Sequence, residues 1–147
     1  MSTNSSISIK KDNKYKSVYC HWDGYLQYNG VILYEKYNTL EKIEELFSYG
    51  DISSLGETIE TCKFYHRDRN EKLSLPSWDS NLLYEEYTYV FEDDTWYVYD
   101  YYYYYEDDTK EIHYDKISLL EALSLEIKDY KQKIRIEKIK RLNDNSL

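Results

Sequence analysis

The amino-acid sequence predicts an α+β domain: an antiparallel sheet with two short helices after the first strand and a long C-terminal helix. Apolar residues at 3/4 spacing are one reason. Leu40, Ile43, Leu46 and Phe47 follow a capping box of Asn38 with Glu41 and stop at Gly50. Leu120, Leu123, Ile127, Tyr130 and Ile134 follow a second box of Ser118 with Glu121. The other reason is a pair of β-rich runs, residues 84–91 and 95–102, on either side of Glu92-Asp93-Asp94, which is a hairpin pattern. A length of 147 residues fits one core, enough to bury about two-thirds of the surface the unfolded chain exposes.

In chain order, residues 1–14 are rich in Ser, Asn and Lys and read as a flexible tail, with Ile7 and Ile9 offering at most a short edge strand. A strand at 16–21 runs into Trp22-Asp23-Gly24-Tyr25, a tight turn because Gly accepts positive φ and Asp bonds its own backbone. The first helix, 29–37, rests on Val31, Leu33, Tyr34 and Tyr37, and the second spans 39–49. After a loop at 51–56 come a strand at 61–65 and a polar loop from 67 to 81 that holds the only proline, Pro76. A second hairpin pairs 103–105 with 111–114 over 106–110, and the long helix follows. The domain therefore spans 15–142, with a short tail at 143–147.

Acidic residues outnumber basic ones by 28 to 19, and a net charge of −9 disfavours direct nucleic-acid binding, which needs Lys and Arg on phosphates. The charge is uneven. Residues 85–115 hold eleven Asp and Glu against Lys110 alone, whereas 128–141 hold seven Lys and Arg against two acids, which leaves room for association between copies. No run approaches the roughly 18 to 20 apolar residues of a membrane span, and the polar N-terminus lacks a signal-peptide pattern. The expectation is a cytoplasmic protein without membrane contact. Two cysteines, Cys20 and Cys62, make no disulfide framework.

Candidate chemistry falls in three places. Cys20 beside His21 is not a catalytic dyad, because neighbours on a strand point to opposite faces, and Cys20 and Trp22 read as buried residues at a strand end. For the same reason a zinc set of Cys20, His21, Cys62 and His66 has the right donors at poor spacing, and no metal is expected. His66-Arg67-Asp68-Arg69 shares its His-Arg-Asp with protein kinases but has neither their glycine-rich loop nor their Asp-Phe-Gly. It reads instead as an ion-paired loop in which Arg67 and Arg69, with His21, Trp22, Asp23 and Tyr25, offer an anion or ligand site. A hydrolase built on His21, Asp23 and His66 lacks any motif with a mechanism. Third comes the run from Asp100 through Tyr101, Tyr103 and Tyr105, flanked by Asp93, Asp94, Glu106, Asp107 and Asp108. Its tyrosines suit a protein interface, and its carboxylates repel nucleic acid while imitating it toward a basic protein; the other reading is a two-faced strand that buries some rings while others cover the sheet edge.

Several of these blocks occur together in order: Tyr19-Cys20-His21-Trp22-Asp23-Gly24-Tyr25, Asn29-Gly30-Val31-Ile32-Leu33, Tyr37-Asn38, Gly50-Asp51-Ile52-Ser53-Ser54-Leu55-Gly56, Phe64-Tyr65-His66-Arg67-Asp68-Arg69, Tyr87-Thr88-Tyr89 and Trp96-Tyr97-Val98. Over residues 16–99 the chain resembles a family of small uncharacterised proteins encoded by phages and prophages. The acidic tyrosine tract and the basic C-terminal helix depart from that pattern. The resemblance implies an accessory viral product working inside a bacterial cell and brings no established activity, catalytic residue or cofactor with it; from the residues themselves no catalytic residue and no cofactor is expected, and the compartment expected is the cytoplasm of the bacterial host. The function expected is non-enzymatic inhibition of a host defence protein, such as a CRISPR effector or another nuclease, through the acidic tyrosine surface. The alternative is a small-ligand module that sequesters a nucleotide or nucleotide-derived signal at residues 19–25 and 67–69.

Overall fold

A computed structural model describes residues 2–105 and 109–145. Strands β1 (Ser5–Lys11) and β2 (Lys14–Cys20) open the chain. A π-helical turn, Leu26–Gly30, leads into helices α1 (Val31–Lys36) and α2 (Leu40–Phe47). Then come β3 (Ile52–Ser54), β4 (Lys63–Phe64) and α3 (Tyr65–Arg69). Strands β5 (Tyr87–Glu92), β6 (Thr95–Tyr105) and β7 (Lys110–Ser118) precede helices α4 (Leu119–Glu126) and α5 (Lys128–Asn145). Among the described residues, one sheet of seven strands runs in the order β4-β3-β2-β1-β5-β6-β7.

The α+β class stands, but the sheet is mixed rather than antiparallel, because β1 pairs parallel to β5 and β2 parallel to β3. Chain connectivity is the cause. The helices between β2 and β3 form a crossover, and a crossover returns the chain to a neighbouring strand in the same direction. Tight hairpins join the antiparallel pairs β1/β2 and β5/β6, and both turn on two residues with positive φ, Asp12-Asn13 and Asp93-Asp94. Asn and Asp are the side chains that best tolerate this left-handed geometry after glycine.

The segment expected to be a tail is the sheet's central strand. In β1, Ile7 and Ile9 enter the main core, while Ser6 and Ser8 on the opposite side are equally buried. Serine can sit there because each hydroxyl is satisfied: Ser6 donates to the carbonyl of Leu83 at 2.6 Å, and Ser8 bonds Ser17 at 2.7 Å. The loop from 70 to 86 supplies that cover, and its Asp79 also pairs with Tyr15 along the free edge of β2 through backbone bonds of 2.7 and 2.8 Å. The chain start is held by close approach at Gly24, whose N–H donates to the Thr3 carbonyl at 2.7 Å. A Cβ at Gly24 would lie 2.7 Å from the Asn4 backbone, so no other residue fits there without displacing it.

On the main core face, Leu26, Leu33, Ile43, Leu46, Phe47, Leu119 and Leu123 join Ile7, Val18, Tyr89, Phe91, Trp96 and Val98 in one cluster. Thr39, not Asn38, caps α2, accepting from the Lys42 N–H at 3.3 Å. The second expected cap holds, with Ser118 accepting from the Glu121 N–H at 3.1 Å. The long helix is broken, however. Ile127 is extended (φ −124°, ψ 120°), and α5 turns back so that it and the start of α4 line one cleft. Tyr130 and Lys133 pin α5 to α1 through Glu35, at 2.6 and 3.6 Å. Helix α5 also runs through most of the expected tail at 143–147. Two smaller expectations change as well: the strand at 61–65 shortens to β4, and the loop at 67–81 begins inside α3.

If β1 is structural, Ile7→Ala removes packing from a fully buried site and lowers stability by about 3 kcal/mol in chemical denaturation. A frayed tail would show no change.

Candidate functional site

The tyrosine-rich strand does not present its residues as simple alternation from its start would suggest. Trp96 and Val98 point into the core, with Tyr97 and Tyr99 on the reverse face. At Asp100 the backbone takes φ 52°, and the ladder to β7 omits it, passing from Tyr99↔Lys116 to Tyr101↔Tyr114. Inward parity then moves from even to odd residues. Tyr101 is buried and Tyr103 half-buried against the core, whereas Tyr102 and Tyr104 are 46% and 52% exposed. Strand β7 changes phase with it, Ile117 facing in on one side of Asp115 and Tyr114 on the other. Beyond this point β6 and β7 form an arm whose open face carries Tyr102, Tyr104, Asp100, Glu111, His113 and Asp115.

His113 organises that face. Its Nε2 lies 2.6 Å from Asp100 Oδ1 and its Nδ1 3.8 Å from Asp115 Oδ1, so the ring sits between two carboxylates. Its ring stacks on Tyr102 at 4.3 Å.

The expected partner-binding set is therefore divided. Tyr101 is lost to the interior, where its hydroxyl donates to Glu126 and burial pushes the phenol above its usual range. Asp93 and Asp94 are exposed, but they turn the chain at the opposite end of β6, about 30 Å from its far end at 3.3 Å per residue. The side chain of Tyr105 and all of Glu106, Asp107 and Asp108 lie outside the described residues. Tyr102, Tyr104, Glu111 and Asp115 were missed because the outward parity depends on the left-handed step at Asp100. The one local sign was an aspartate set inside a run of aromatics.

At the base of the arm, on the reverse face, Glu92 forms a structural hub. Tyr99 donates to it, and Lys116 and Lys10 lie 3.0 and 3.7 Å away. Burial alone would raise this carboxyl, but the hydrogen bonds from Tyr99 and Lys116 and the two ammonium charges outweigh it and hold Glu92 below the usual carboxylate range.

The arginine loop is bonded within itself. Arg67 donates to Asp68 and to the carbonyls of Ile59 (2.9 Å) and Cys62 (2.7 Å), and it covers the Phe64 ring at 4.8 Å. Asp68, hydrogen-bonded by Arg67 and by the Phe64 N–H, is held below its usual range. Arg67 thus ties α3 to the preceding turn, while Arg69 lies over Tyr65. His21 bonds the Tyr19 hydroxyl at 2.7 Å and meets the Trp22 ring edge-on. Trp22 is exposed, not buried with Cys20, and Asp23 (φ 57°) accepts from the Asn29 N–H through its carbonyl. Tyr25 packs loosely on Tyr28. The cleft of about 400 Å³ beside Tyr19 is lined by Tyr49, Asp51, Tyr65 and His66 and reaches neither Arg67 nor Arg69.

The four zinc-type donors go their own ways. Cys20 receives a bond from Asn29, and burial pushes its thiol up to about 11, which removes it as a nucleophile at neutral pH. Cys62 accepts from the Gly56 N–H at 3.2 Å, and His66 Nδ1 meets the Glu71 carbonyl at 2.8 Å. Among the described residues no helix is long and apolar enough to cross a membrane. Comparison with family models, curated proteins and solved structures finds no match, so the site rests on its geometry.

Because the folded Glu92 carboxyl lies below its unfolded value, its contribution is present at neutral pH and lost as the pH falls through the depressed value. Glu92→Gln therefore destabilises the protein at pH 7, by about 2 kcal/mol in urea unfolding. The gap to the natural chain closes below about pH 4; a gap that persists there would assign the effect to shape rather than charge.

Proposed function

We propose that the chain is a binding protein, not an enzyme, whose β6–β7 arm engages a basic, nucleic-acid-binding protein in place of nucleic acid. The observation that carries this reading is the juxtaposition of two exposed tyrosines, Tyr102 and Tyr104, with Asp100, Glu111 and Asp115 on one open strand-pair face. Flat aromatic area at low entropy cost supplies affinity, and carboxylates along a strand supply the charge pattern that a phosphate-binding groove accepts. With the resemblance to phage proteins, the partner class is a host defence effector or nuclease, met in the bacterial cytoplasm. A nucleotide-sequestering module is the competing reading. The engagement of Arg67 with Asp68 and two carbonyls counts against the loop it requires.

The test uses bacteria carrying a nuclease-based defence system. Expression of the natural chain should raise phage plating, and the purified nuclease should bind the purified chain. Tyr102→Ala with Tyr104→Ala should weaken that binding by about tenfold or more while leaving the melting temperature unchanged. Asp100→Lys with Glu111→Lys and Asp115→Lys should abolish both effects. Inhibition that survives the charge reversal, or a nucleotide that co-purifies without any protein partner, would overturn the proposal.

A further inference from the structure

Helix α5 is anchored along one side only. Tyr130 is buried and Ile134 half-buried toward α1 and the sheet, and Glu137, Lys138 and Arg141 line the cleft beneath the helix. On the other side Ile136, Ile139 and Leu142 recur every three residues and are 46%, 57% and 70% exposed. Single exposed apolar residues are ordinary, but three on successive turns of one helix form a stripe that lacks its counterpart. Arg135 and Lys140 flank the stripe, and no ion pair joins either to another described residue.

Charge identifies the counterpart. Helix α5 holds seven Lys and Arg against three acids, leaving the rest of the chain with 12 basic and 25 acidic residues. One strongly basic helix thus sits on a strongly acidic body. Two α5 helices would repel each other, and an anionic membrane or nucleic acid that attracted the helix would be repelled by the body. A second copy of the chain is free of both objections. Its arm presents Asp100, Glu111 and Asp115 beside Tyr102 and Tyr104, carboxylates for the cations and rings for the isoleucines.

We infer that the outer face of α5 docks on the open face of the β6–β7 arm of a second copy. A reciprocal arrangement makes the contact twice and closes as a two-fold dimer; a non-reciprocal one grows head to tail. The contact shares the arm with the proposed function, so self-association masks the surface offered to the outside partner and a basic partner competes with α5 for it.

Sedimentation velocity on the full chain tests this. The natural protein should associate at low ionic strength and dissociate as salt is raised, since the contact is charge-driven and surface-exposed. Ile136→Asp with Ile139→Asp should be monomeric with an unchanged melting temperature. Reversing the outer face of α5 (Arg135→Glu, Lys140→Glu) or the arm (Asp100→Lys, Glu111→Lys, Asp115→Lys) should each give monomers. Mixing the two reversed chains should restore association, because each helix then meets an arm of opposite charge. The α5 reversal leaves the arm intact, so it should retain binding to the defence nuclease, which separates failure of this inference from failure of the proposed function. A natural chain that stays monomeric at low salt, reversed chains that fail to recombine, or binding to phosphatidylserine vesicles without self-association would overturn it.

Discussion

Strand β1 is where the two halves of the sheet meet. It pairs antiparallel with β2 on one side and parallel with β5 on the other, so without it β4-β3-β2 and β5-β6-β7 have no shared edge. Several contacts converge on its first residue. Asn29, fully buried, donates to Ser5 at 3.2 Å, to the Cys20 sulfur and to the Trp22 carbonyl. Tyr89, opposite Ile7, donates to the Gly24 carbonyl at 2.6 Å. The turn at 22–25 is thereby built around the start of β1.

Part of the chain's acidity and aromaticity is likewise structural. Among the described residues, positive φ outside glycine falls on Asp12, Asn13, Asp23, Asn70, Asp93, Asp94 and Asp100, and only Gly50 among the four glycines shares it. Asp and Asn do here what glycine does elsewhere, since their short polar side chains bond the local backbone in the left-handed region. Five of the 28 acidic residues therefore stand at left-handed backbone positions. Buried tyrosines act similarly, each ring filling core volume while its hydroxyl reaches a distant acceptor: Tyr37 to Gly56, Tyr101 to Glu126 and Tyr130 to Glu35. Tyr102 and Tyr104 stand apart because the left-handed step at Asp100 turns them away from the helix layer.

Local features were legible in proportion to how local their causes are. The β5–β6 hairpin, the second helix and the Ser118 cap each depend on residues within a few positions of one another, and each lies close to where patterning put it. Strand β1 was hidden because its serines look like tail composition until the loop from 70 to 86 covers them. Ile127 breaks the last helix without glycine or proline; the contacts that hold α5 back run to Glu35, 95 residues from Tyr130. In the candidate site, the acidic tyrosine tract was visible as composition, but its outward face was not, since one backbone conformation at Asp100 inverts it.

From its own order of residues the chain settles where α2 and α4 begin, where the β5–β6 hairpin turns and how charge divides between an acidic body and a basic helix, because these follow from neighbouring side chains and backbone preferences. Folding settled the rest: which strands lie side by side, which serines are buried and which tyrosines are open. Those outcomes depend on burial summed over distant segments, as when Tyr89 reaches a carbonyl 65 residues away, and no local window contains that sum.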